Sequence, residues 1–234
     1  MSRADGARAA ELAANLAALE ARIVAACAEV GRDRGDVTLI AVTKTWPASD
    51  AVLLRDLGVH DLGENRDAEA ARKATEVSGV RWHFVGAVQT NKARSVASYA
   101  DVVHSVDRLG LVAALSAGAV RAGRRVDVLL QVSLDGDGAR GGADPSAVPA
   151  LADAVSEAGG LRLAGVMAVA PLGSDPGEAF DRLREVAALV RASHPDAQVI
   201  SAGMSADLEA AVRSGTTALR VGTALLGHRP PLQV

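Results

Sequence analysis

Hydrophobic positions along the chain follow two periods that replace each other in turn. In residues 7–30, Leu12, Leu16, Leu19 and Ile23 recur at spacings of three and four, which predicts an amphipathic helix. After this helix, short apolar runs bounded by turn residues alternate with further helical patterns. Such short runs are typical of buried parallel strands, which are covered on both faces. The pattern therefore predicts strands and helices in strict alternation.

The predicted elements can be placed along the whole sequence. The strands span residues 39–44, 59–62, 80–85, 102–106, 126–134, 161–167, 198–202 and 217–221. The helices after the first span residues 48–57, 65–77, 90–98, 108–122, 146–158, 178–192 and 205–213, and the tail 224–234 has room for one more turn. Thr90, Asp107 and Ser205 are expected to cap three of these helices.

This order of elements predicts the fold class. Strict alternation implies parallel strands joined by right-handed crossovers, and eight such units in 234 residues favour a closed (β/α)8 TIM-type barrel with an extra N-terminal helix. An open doubly wound sheet is the alternative, but the first strand–helix turn lacks a G-x-G-x-x-G pattern. No linker divides the chain, so residues 1–234 are expected to form a single domain.

Composition excludes several classes of function. Hydrophobic residues make up 49% of the chain and charged residues 23%, so a full core can form. Aromatic residues are only 2% and the net charge is -3, which argues against a stacking or basic surface for nucleic acid. The single cysteine, Cys27, excludes a disulfide within the chain and a cysteine metal cluster, and no metal is expected.

The terminus and the hydropathy pattern predict a location. The N-terminus carries Arg3, Asp5 and Arg8 and has no apolar segment of the signal-peptide type. No apolar run approaches the length of a membrane span. We therefore expect a cytoplasmic protein without a membrane partner, and a monomer, because no exposed apolar stripe is evident.

The first candidate for chemistry is Lys44. It follows a buried strand, and Pro47 ends that strand because proline cannot donate to a ladder. Functional groups of parallel α/β folds collect at the carboxyl ends of strands. A lysine partly removed from water can attack a carbonyl to form a Schiff base. On this stretch alone, an ordinary solvated lysine is the more frequent interpretation.

Two later loops could hold an anion. They contain residues 201–206 and 220–223, after the last two predicted strands, where barrels commonly bind a phosphate. Ser205 is expected to expose backbone N–H groups at a helix start, Gly222 to allow close approach of a ligand, and Thr223 to add a hydroxyl. Ordinary strand–helix turns would look similar. Together with Lys44, however, the loops suit a phosphorylated aldehyde.

A series of ordered motifs makes a family resemblance specific. The motifs are Val42-Thr43-Lys44-Thr45, Gly63-Glu64-Asn65-Arg66, Trp82-His83-Phe84-Val85-Gly86, Gln89-Thr90-Asn91-Lys92, His104-Ser105-Val106-Asp107, Arg140-Gly141-Gly142, Gly203-Met204-Ser205-Ala206-Asp207 and Arg220-Val221-Gly222-Thr223. From about residue 7 to residue 227, the chain resembles the pyridoxal phosphate homeostasis protein family, the single-domain relatives of the alanine racemase N-terminal barrel. It departs from the family pattern at Ala87 and Arg140, neither of which is expected to touch the cofactor.

The resemblance implies a cofactor site. Pyridoxal 5′-phosphate (PLP) would be held on Lys44 as an internal aldimine, and Arg220 would face its pyridine nitrogen. The phosphate would lie at Ser205, Gly222 and Thr223, with Ser201 and Met204 nearby. Asn65 and His83 would line the pocket.

The resemblance also implies a function without catalytic residues. The protein would hold PLP reversibly, buffer it, and deliver it to PLP-dependent apo-enzymes. Arg220 would disfavour a proton on the pyridine nitrogen, and Tyr99, just before a predicted strand, lies at the wrong end of the barrel for a second acid or base. A weak PLP-dependent racemase using Lys44 and either His83 or His104 is the alternative. A Schiff-base aldolase barrel without cofactor is a third interpretation.

Overall fold

The computed structural model describes residues 3–137 and 141–227, and its eight parallel strands close a barrel in sequence order. The strands are β1 (Thr38–Val42), β2 (Asp61–Glu64), β3 (Arg81–Phe84), β4 (Val102–Val106), β5 (Val126–Gln131), β6 (Leu161–Met167), β7 (Val199–Ser201) and β8 (Ala218–Val221). The helices are α1 (Arg3–Glu29), α2 (Ala48–Asp56), α3 (Asp67–Glu76), α4 (Ala93–Tyr99), α5 (Leu109–Arg121), α6 (Val148–Glu157), α7 (Pro176–Ser193), α8 (Leu208–Arg213) and α9 (Thr223–Leu226).

Pairing between the first and last strands closes the barrel and confirms the predicted fold class. Ala41 of β1 pairs with Val221 of β8, and Val42 pairs with Gly63 on the other side. The alternative of an open sheet would leave two strands with an unpaired edge, whereas each of these eight strands has a neighbour on both sides. Across the two described ranges, none of the helices is both long and apolar enough to span a membrane.

The main core lies between the barrel and its helices. Alternate residues of a strand point to opposite faces, so Leu39 and Ala41 pack outward against the helices. The extra helix α1 packs on α9, where Asn15 Nδ2 donates to the carbonyl oxygen of Leu225 at 2.9 Å. Arg22 of α1 forms an ion pair with Glu209 of α8. The additional helix therefore fixes the layer behind β7 and β8.

Several predicted boundaries near the carboxyl rim are wrong. Strand β1 ends at Val42 rather than residue 44, and β5 ends at Gln131 rather than residue 134. The second strand begins at Asp61 rather than residue 59 and includes Glu64, which the structure buries. The helix predicted over residues 205–213 begins only at Leu208, because Asp207 Oδ1 accepts a hydrogen bond from Met204 N at 2.5 Å and stabilises a turn. Ser205 therefore does not cap α8.

The other two predicted caps are also wrong. Thr90 begins a 3-10 turn ahead of α4, and its Oγ1 accepts a hydrogen bond from Arg108 at 3.2 Å. Asp107 does not cap α5, because its Oδ2 accepts from Gly142 N at 3.3 Å across the rim. Arg140, quoted above for the resemblance, lies outside the described residues.

Candidate functional site

Four neighbouring strands bring most of the predicted site residues to one end of the barrel. The ring order there is β2, β1, β8 and β7. Lys44 follows β1, and Asn65 follows β2 two residues beyond the pair Val42–Gly63. The remaining members lie on or after β8 and β7: Arg220, Gly222, Thr223, Ser201, Met204 and Ser205. The two anion loops are thus on the strands next to Lys44 rather than across the mouth from it.

The turn that carries Lys44 has an unusual backbone. Thr45 has a φ of +68°, the one positive φ among the described residues other than glycine, in a region that a β-branched residue rarely adopts. Two hydrogen bonds hold the turn: Trp46 N donates to Thr43 O at 3.1 Å, and Thr45 N donates to Glu69 Oε1 at 2.6 Å. Such strain commonly occurs where a neighbouring side chain must be presented in one orientation.

A buried charge cluster lies directly behind this turn. The fully buried ammonium of Lys73 donates to Glu64 Oε1 at 2.5 Å, to Glu69 Oε1 at 2.8 Å and to the carbonyl oxygen of Thr43 at 2.8 Å. Thr43 Oγ1 also donates to Glu64 Oε1 at 2.6 Å. Burial raises the pKa of Glu64, whose Oε2 has no hydrogen-bond partner in the described part of the chain. The cluster therefore anchors the backbone on the N-terminal side of Lys44.

Lys44 is the lysine best placed to react. The sequence contains three lysines, Lys44, Lys73 and Lys92. Lys73 is sequestered in the cluster, and Lys92 is exposed on the 3-10 turn before α4. Lys44 is half-buried, and among the described residues its amine makes no hydrogen bond or ion pair. A lysine that must react with an incoming carbonyl needs this combination of partial burial and a free amine.

Arg220 is a buried cation without a carboxylate partner among the described residues. Its side chain points into the barrel, where Nη1 donates to Ser201 Oγ at 2.6 Å and Nη2 donates to the carbonyl oxygen of Ala168 at 2.9 Å. Burial lowers the pKa of Arg220 to about 10, with Asp207 acting in the opposite direction. Because a buried and unpaired charge is costly, this guanidinium suits a site where a ligand supplies an acceptor.

Asn65 is held close to the next strand loop. A Cβ atom at Gly86 would come within 2.3 Å of the carbonyl oxygen of Asn65, so only glycine allows this approach. Asn65 Oδ1 is buried and has no hydrogen-bond partner in the described part of the chain. Buried polar atoms are nearly always paired, so this oxygen is available to a donor on a bound molecule.

The two anion loops are joined to each other. Gly203, with a φ of +90°, begins the first loop, and a Cβ there would lie 2.5 Å from the Ala211 side chain. Ser205 Oγ accepts a hydrogen bond from Ala224 N at 3.1 Å, which links this loop to the start of α9. Gly222 and Thr223 directly follow β8, and Thr223 is exposed at the start of α9. The two loops predicted to hold an anion are therefore next to each other.

The structure does not place His83 with these residues. Its ring bonds to Asp61 Oδ1 at 2.8 Å and to His104 Nε2 at 2.9 Å. It lines a cavity of about 370 Å³ at the opposite, amino-terminal end of the barrel, together with Asp61, Arg81 and Asp127. The physical reason is the register of β3, in which His83 is an inward residue below the carboxyl rim. The ring of His83 therefore does not reach the carboxyl rim, and it is linked to the rim residues only by hydrogen bonds through other side chains.

The residues present fit a phosphorylated aldehyde with a ring nitrogen. Within residues 3–137 and 141–227, the Lys44 amine is unpaired and Arg220 is a fixed donor without an anionic partner. The loops around Ser205 and Thr223 offer donors for a phosphate. The described residues contain no group of three or more His, Cys, Asp or Glu side chains that could hold a metal ion. Tyr99 lies on the outer layer at the end of α4, where its hydroxyl donates to Asp67 Oδ1 at 3.3 Å.

Sequence reasoning missed several residues around the site. Lys73, Glu64 and Glu69 form the cluster behind Lys44, and Asp207 shapes the first anion loop. The spacing of Glu69 and Lys73 at i and i+4 indicates an ion pair but not its burial. For Asp207 the sequence carries no comparable signal, because its partner is a nearby backbone N–H.

Comparison with known proteins identifies the family of this chain. Residues 14–230 match the family model described as alanine racemase, N-terminal domain. The pyridoxal phosphate homeostasis protein of Mycobacterium tuberculosis is 46% identical over 243 residues, covering 95% of this chain and 94% of the relative. The protein of the same name from Escherichia coli K12 is 35% identical over 227 residues, covering 94% and 97%.

Two solved structures superimpose on this chain. PipY of Synechococcus elongatus, solved with PLP bound, superimposes with a TM-score of 0.80 at 33% identity, covering 92% of this chain and all of PipY. An alanine racemase of Clostridium difficile superimposes with a TM-score of 0.74 at 16% identity, covering 96% of this chain and 58% of the racemase. At that identity the racemase shares the fold alone.

Proposed function

This chain belongs to the family of pyridoxal phosphate homeostasis proteins, built on the alanine racemase N-terminal domain, and on this premise we propose that it holds PLP reversibly as a Schiff base on Lys44 and serves PLP homeostasis. It binds PLP as its cofactor, as the PLP-bound relative PipY does. The observation that carries the assignment of Lys44 is its free, half-buried amine on the strand next to a buried Arg220 that lacks a carboxylate partner among the described residues.

Each residue of the site has a distinct part in this proposal. Lys44 supplies the amine, which condenses with an aldehyde and releases one water. Arg220, which can only donate hydrogen bonds, would face the pyridine nitrogen. Backbone N–H groups and hydroxyls at Ser205, Gly222 and Thr223 hold the phosphate, with Met204 and Ser201 beside them. Asn65 borders the ring. PLP supplies an electrophilic carbon and an electron-withdrawing ring when it is bound.

The same residues argue against efficient turnover. A fixed cation at Arg220 disfavours a proton on the ring nitrogen, which weakens the electron sink that racemisation requires. Tyr99 is on the outer layer, and His83 and His104 are both buried and hydrogen-bonded below the rim. We therefore favour a carrier without catalytic residues. A weak racemase remains the second candidate, because the chain shares its fold with alanine racemases.

A borohydride experiment tests the link to Lys44. Purified protein with PLP bound should show the visible absorption band of a Schiff base. Reduction with borohydride should attach one pyridoxyl group to the peptide that contains Lys44. Lys44→Ala should lose both signals. Lys92→Ala is the matched control, because it removes the exposed lysine and should lose neither. Modification at Lys92, or retention of the signals in Lys44→Ala, would overturn the assignment.

Delivery of the cofactor needs a separate test. The partial exposure of Lys44 and the exposure of Thr223 support transfer by direct exchange with a free amine or a lysine of an apo-enzyme. PLP should then appear in an added apo-enzyme faster than a scavenger captures it from solution. Equal rates would reduce the role to storage. Solvent deuterium appearing at the α-carbon of alanine, and lost in Lys44→Ala, would instead favour the racemase.

Two further expectations belong to this proposal. We propose that the chain acts as a single-domain monomer, since the site residues all come from one barrel. We also propose that it works in the cytoplasm, where it would meet PLP-dependent apo-enzymes. Light scattering of the loaded protein and cell fractionation test these two statements independently of the chemistry.

A further inference from the structure

A line of four hydrogen bonds crosses the interior of the barrel. Asp61 Oδ1 lies 2.8 Å from His83 Nε2, and His83 Nδ1 lies 2.9 Å from His104 Nε2. His104 Nδ1 lies 3.0 Å from Ser201 Oγ, which accepts a hydrogen bond from Arg220 Nη1 at 2.6 Å. The line runs from the amino-terminal cavity to the guanidinium at the carboxyl end.

Asp61 and Arg220, at the two ends of this line, determine which atom donates each of the four hydrogen bonds. A carboxylate only accepts, so Asp61 requires a proton on Nε2 of His83. A neutral His83 then accepts at Nδ1, which requires a proton on Nε2 of His104. His104 in turn accepts at Nδ1 from the hydroxyl of Ser201. Because Arg220 can only donate, Ser201 Oγ accepts from it, and all donors point from Arg220 towards Asp61.

Burial keeps both rings in the neutral form that this direction needs. Burial lowers the pKa of His83, although the hydrogen bond to Asp61 acts in the opposite direction. Burial also lowers the pKa of His104, to well below its usual range, and the nearby Arg220 adds to the shift. A charged His83 would carry protons on both nitrogens and would reverse the donor at His104.

We propose that Asp61 is the remote counter-charge of Arg220, and that His83, His104 and Ser201 are positioning residues that connect the two. Arg220 is buried without a carboxylate partner among the described residues, and aligned hydrogen bonds polarise one another in a low-dielectric interior. The line holds the guanidinium in one orientation, with its remaining N–H groups available at the rim. Only the statement that these groups face PLP rests on the proposed function.

The protonation of the two histidines gives the first test. In cofactor-free protein labelled with 15N-histidine, the nitrogen spectra at neutral pH should show His83 and His104 as neutral rings protonated at Nε2. Single His83→Gln and His104→Gln variants assign the resonances. A proton on Nδ1 of either ring, or a charged ring, would overturn the proposal.

A pair of aspartate variants separates charge from hydrogen bonding. Asp61→Asn keeps an oxygen that can accept from His83 but removes the charge. Asp36→Asn removes the same charge from the same cavity, where Asp36 is exposed and outside the line. Asp61→Asn should shift the His104 Nε2 and Arg220 side-chain resonances and accelerate hydrogen exchange of the Arg220 N–H groups by about threefold or more. Equal spectra for the two variants would overturn the proposal.

A variant that interrupts the line of hydrogen bonds tests the proposal even if Asp61→Asn does not fold. Ser201→Ala removes the link between Arg220 and His104, so Arg220 exchange should accelerate while both histidines stay protonated at Nε2. A change of the His104 proton to Nδ1 would contradict the direction argued above.

The loaded protein distinguishes this proposal from the proposed function. If Arg220 faces PLP, Asp61→Asn should shift the absorption maximum of bound PLP, and Asp36→Asn should not. An unchanged maximum beside altered Arg220 resonances would contradict the cofactor contact and leave the counter-charge established.

Discussion

The ammonium group of Lys73 lies 2.8 Å from the carbonyl oxygen of Thr43, the residue that immediately precedes Lys44. A lysine on α3 thereby holds the backbone from which a lysine on the rim projects. Its charge is balanced within the same cluster by Glu64 and Glu69. The backbone that precedes Lys44 is thus held by a buried ion-pair cluster on the layer behind the rim.

Replacing Lys73 by methionine should destabilise the protein strongly. The substitution leaves Glu64 buried without its cation, and breaking one partner of a buried pair costs about 3–5 kcal/mol. Urea unfolding of cofactor-free protein measures the loss. Lys92→Met is the control and should stay within about 0.5 kcal/mol of wild type, because Lys92 is exposed. Equal stabilities of the two variants would show that the cluster contributes nothing.

The strained backbone at Thr45 predicts that a substitution by glycine increases the stability of the protein. Thr45→Gly removes the clash of a β-branched residue at a φ of +68° and should raise the free energy of unfolding by about 0.5–1 kcal/mol. Thr38→Gly, at the exposed start of β1, should lower it by a similar amount, because glycine weakens a strand. Chemical denaturation of both variants should therefore give changes of opposite sign; a loss at both positions would contradict strain at Thr45.

Two glycines with nearly the same φ should respond differently to alanine. A Cβ atom at Gly58, where φ is +91°, would have no neighbouring atom within 4 Å, so Gly58→Ala should cost only about 1–2 kcal/mol of conformational strain. Gly203→Ala adds a clash with Ala211 and Leu219 and should cost about 1–3 kcal/mol more. Thermal or urea unfolding compares them, and Gly203→Ala should also weaken phosphate binding. Equal losses at the two positions would show that the space around Gly203 is not restricted.

Stability should fall when the protein is acidified through the range of histidine titration. The pKa values of His83 and His104 are lowered by burial, so the unfolded chain binds more protons below about pH 6.5. The stabilisation is complete above that pH and is lost as the pH falls towards the folded values. Each ring contributes up to about 1.4 kcal/mol per pH unit.

Unfolding free energies between about pH 7 and pH 5.5 measure this slope. His104→Gln should remove about half of it, whatever its effect on absolute stability. His60→Gln, at an exposed position, should leave the slope as in wild type. A slope that His104→Gln does not change would show that the buried ring plays no part.

The alternation of apolar runs and helical patterns was sufficient to predict the barrel. Strand β4 and strand β6 begin and end where the hydrophobic pattern places them, because both are buried along nearly their whole length. The strand that contains Glu64 was placed two residues too early, because a buried glutamate looks like a turn residue when its partner Lys73 is unknown. The predicted start of α8 was wrong for a related reason: Asp207 accepts a hydrogen bond from a backbone N–H, and hydrophobic periodicity does not reveal such a contact.

The sequence by itself determined the barrel through its hydrophobic period, and the family through ordered motifs that include Lys44 and Arg220. Periodicity and the order of motifs are local properties that can be recognised without coordinates. Only the tertiary structure decided that His83 and Asp61 line the amino-terminal cavity, and that Lys73 lies buried behind the turn of Lys44. Those facts depend on distances between segments far apart in the chain, and hydrogen bonds between buried polar groups form only where packing brings such segments together.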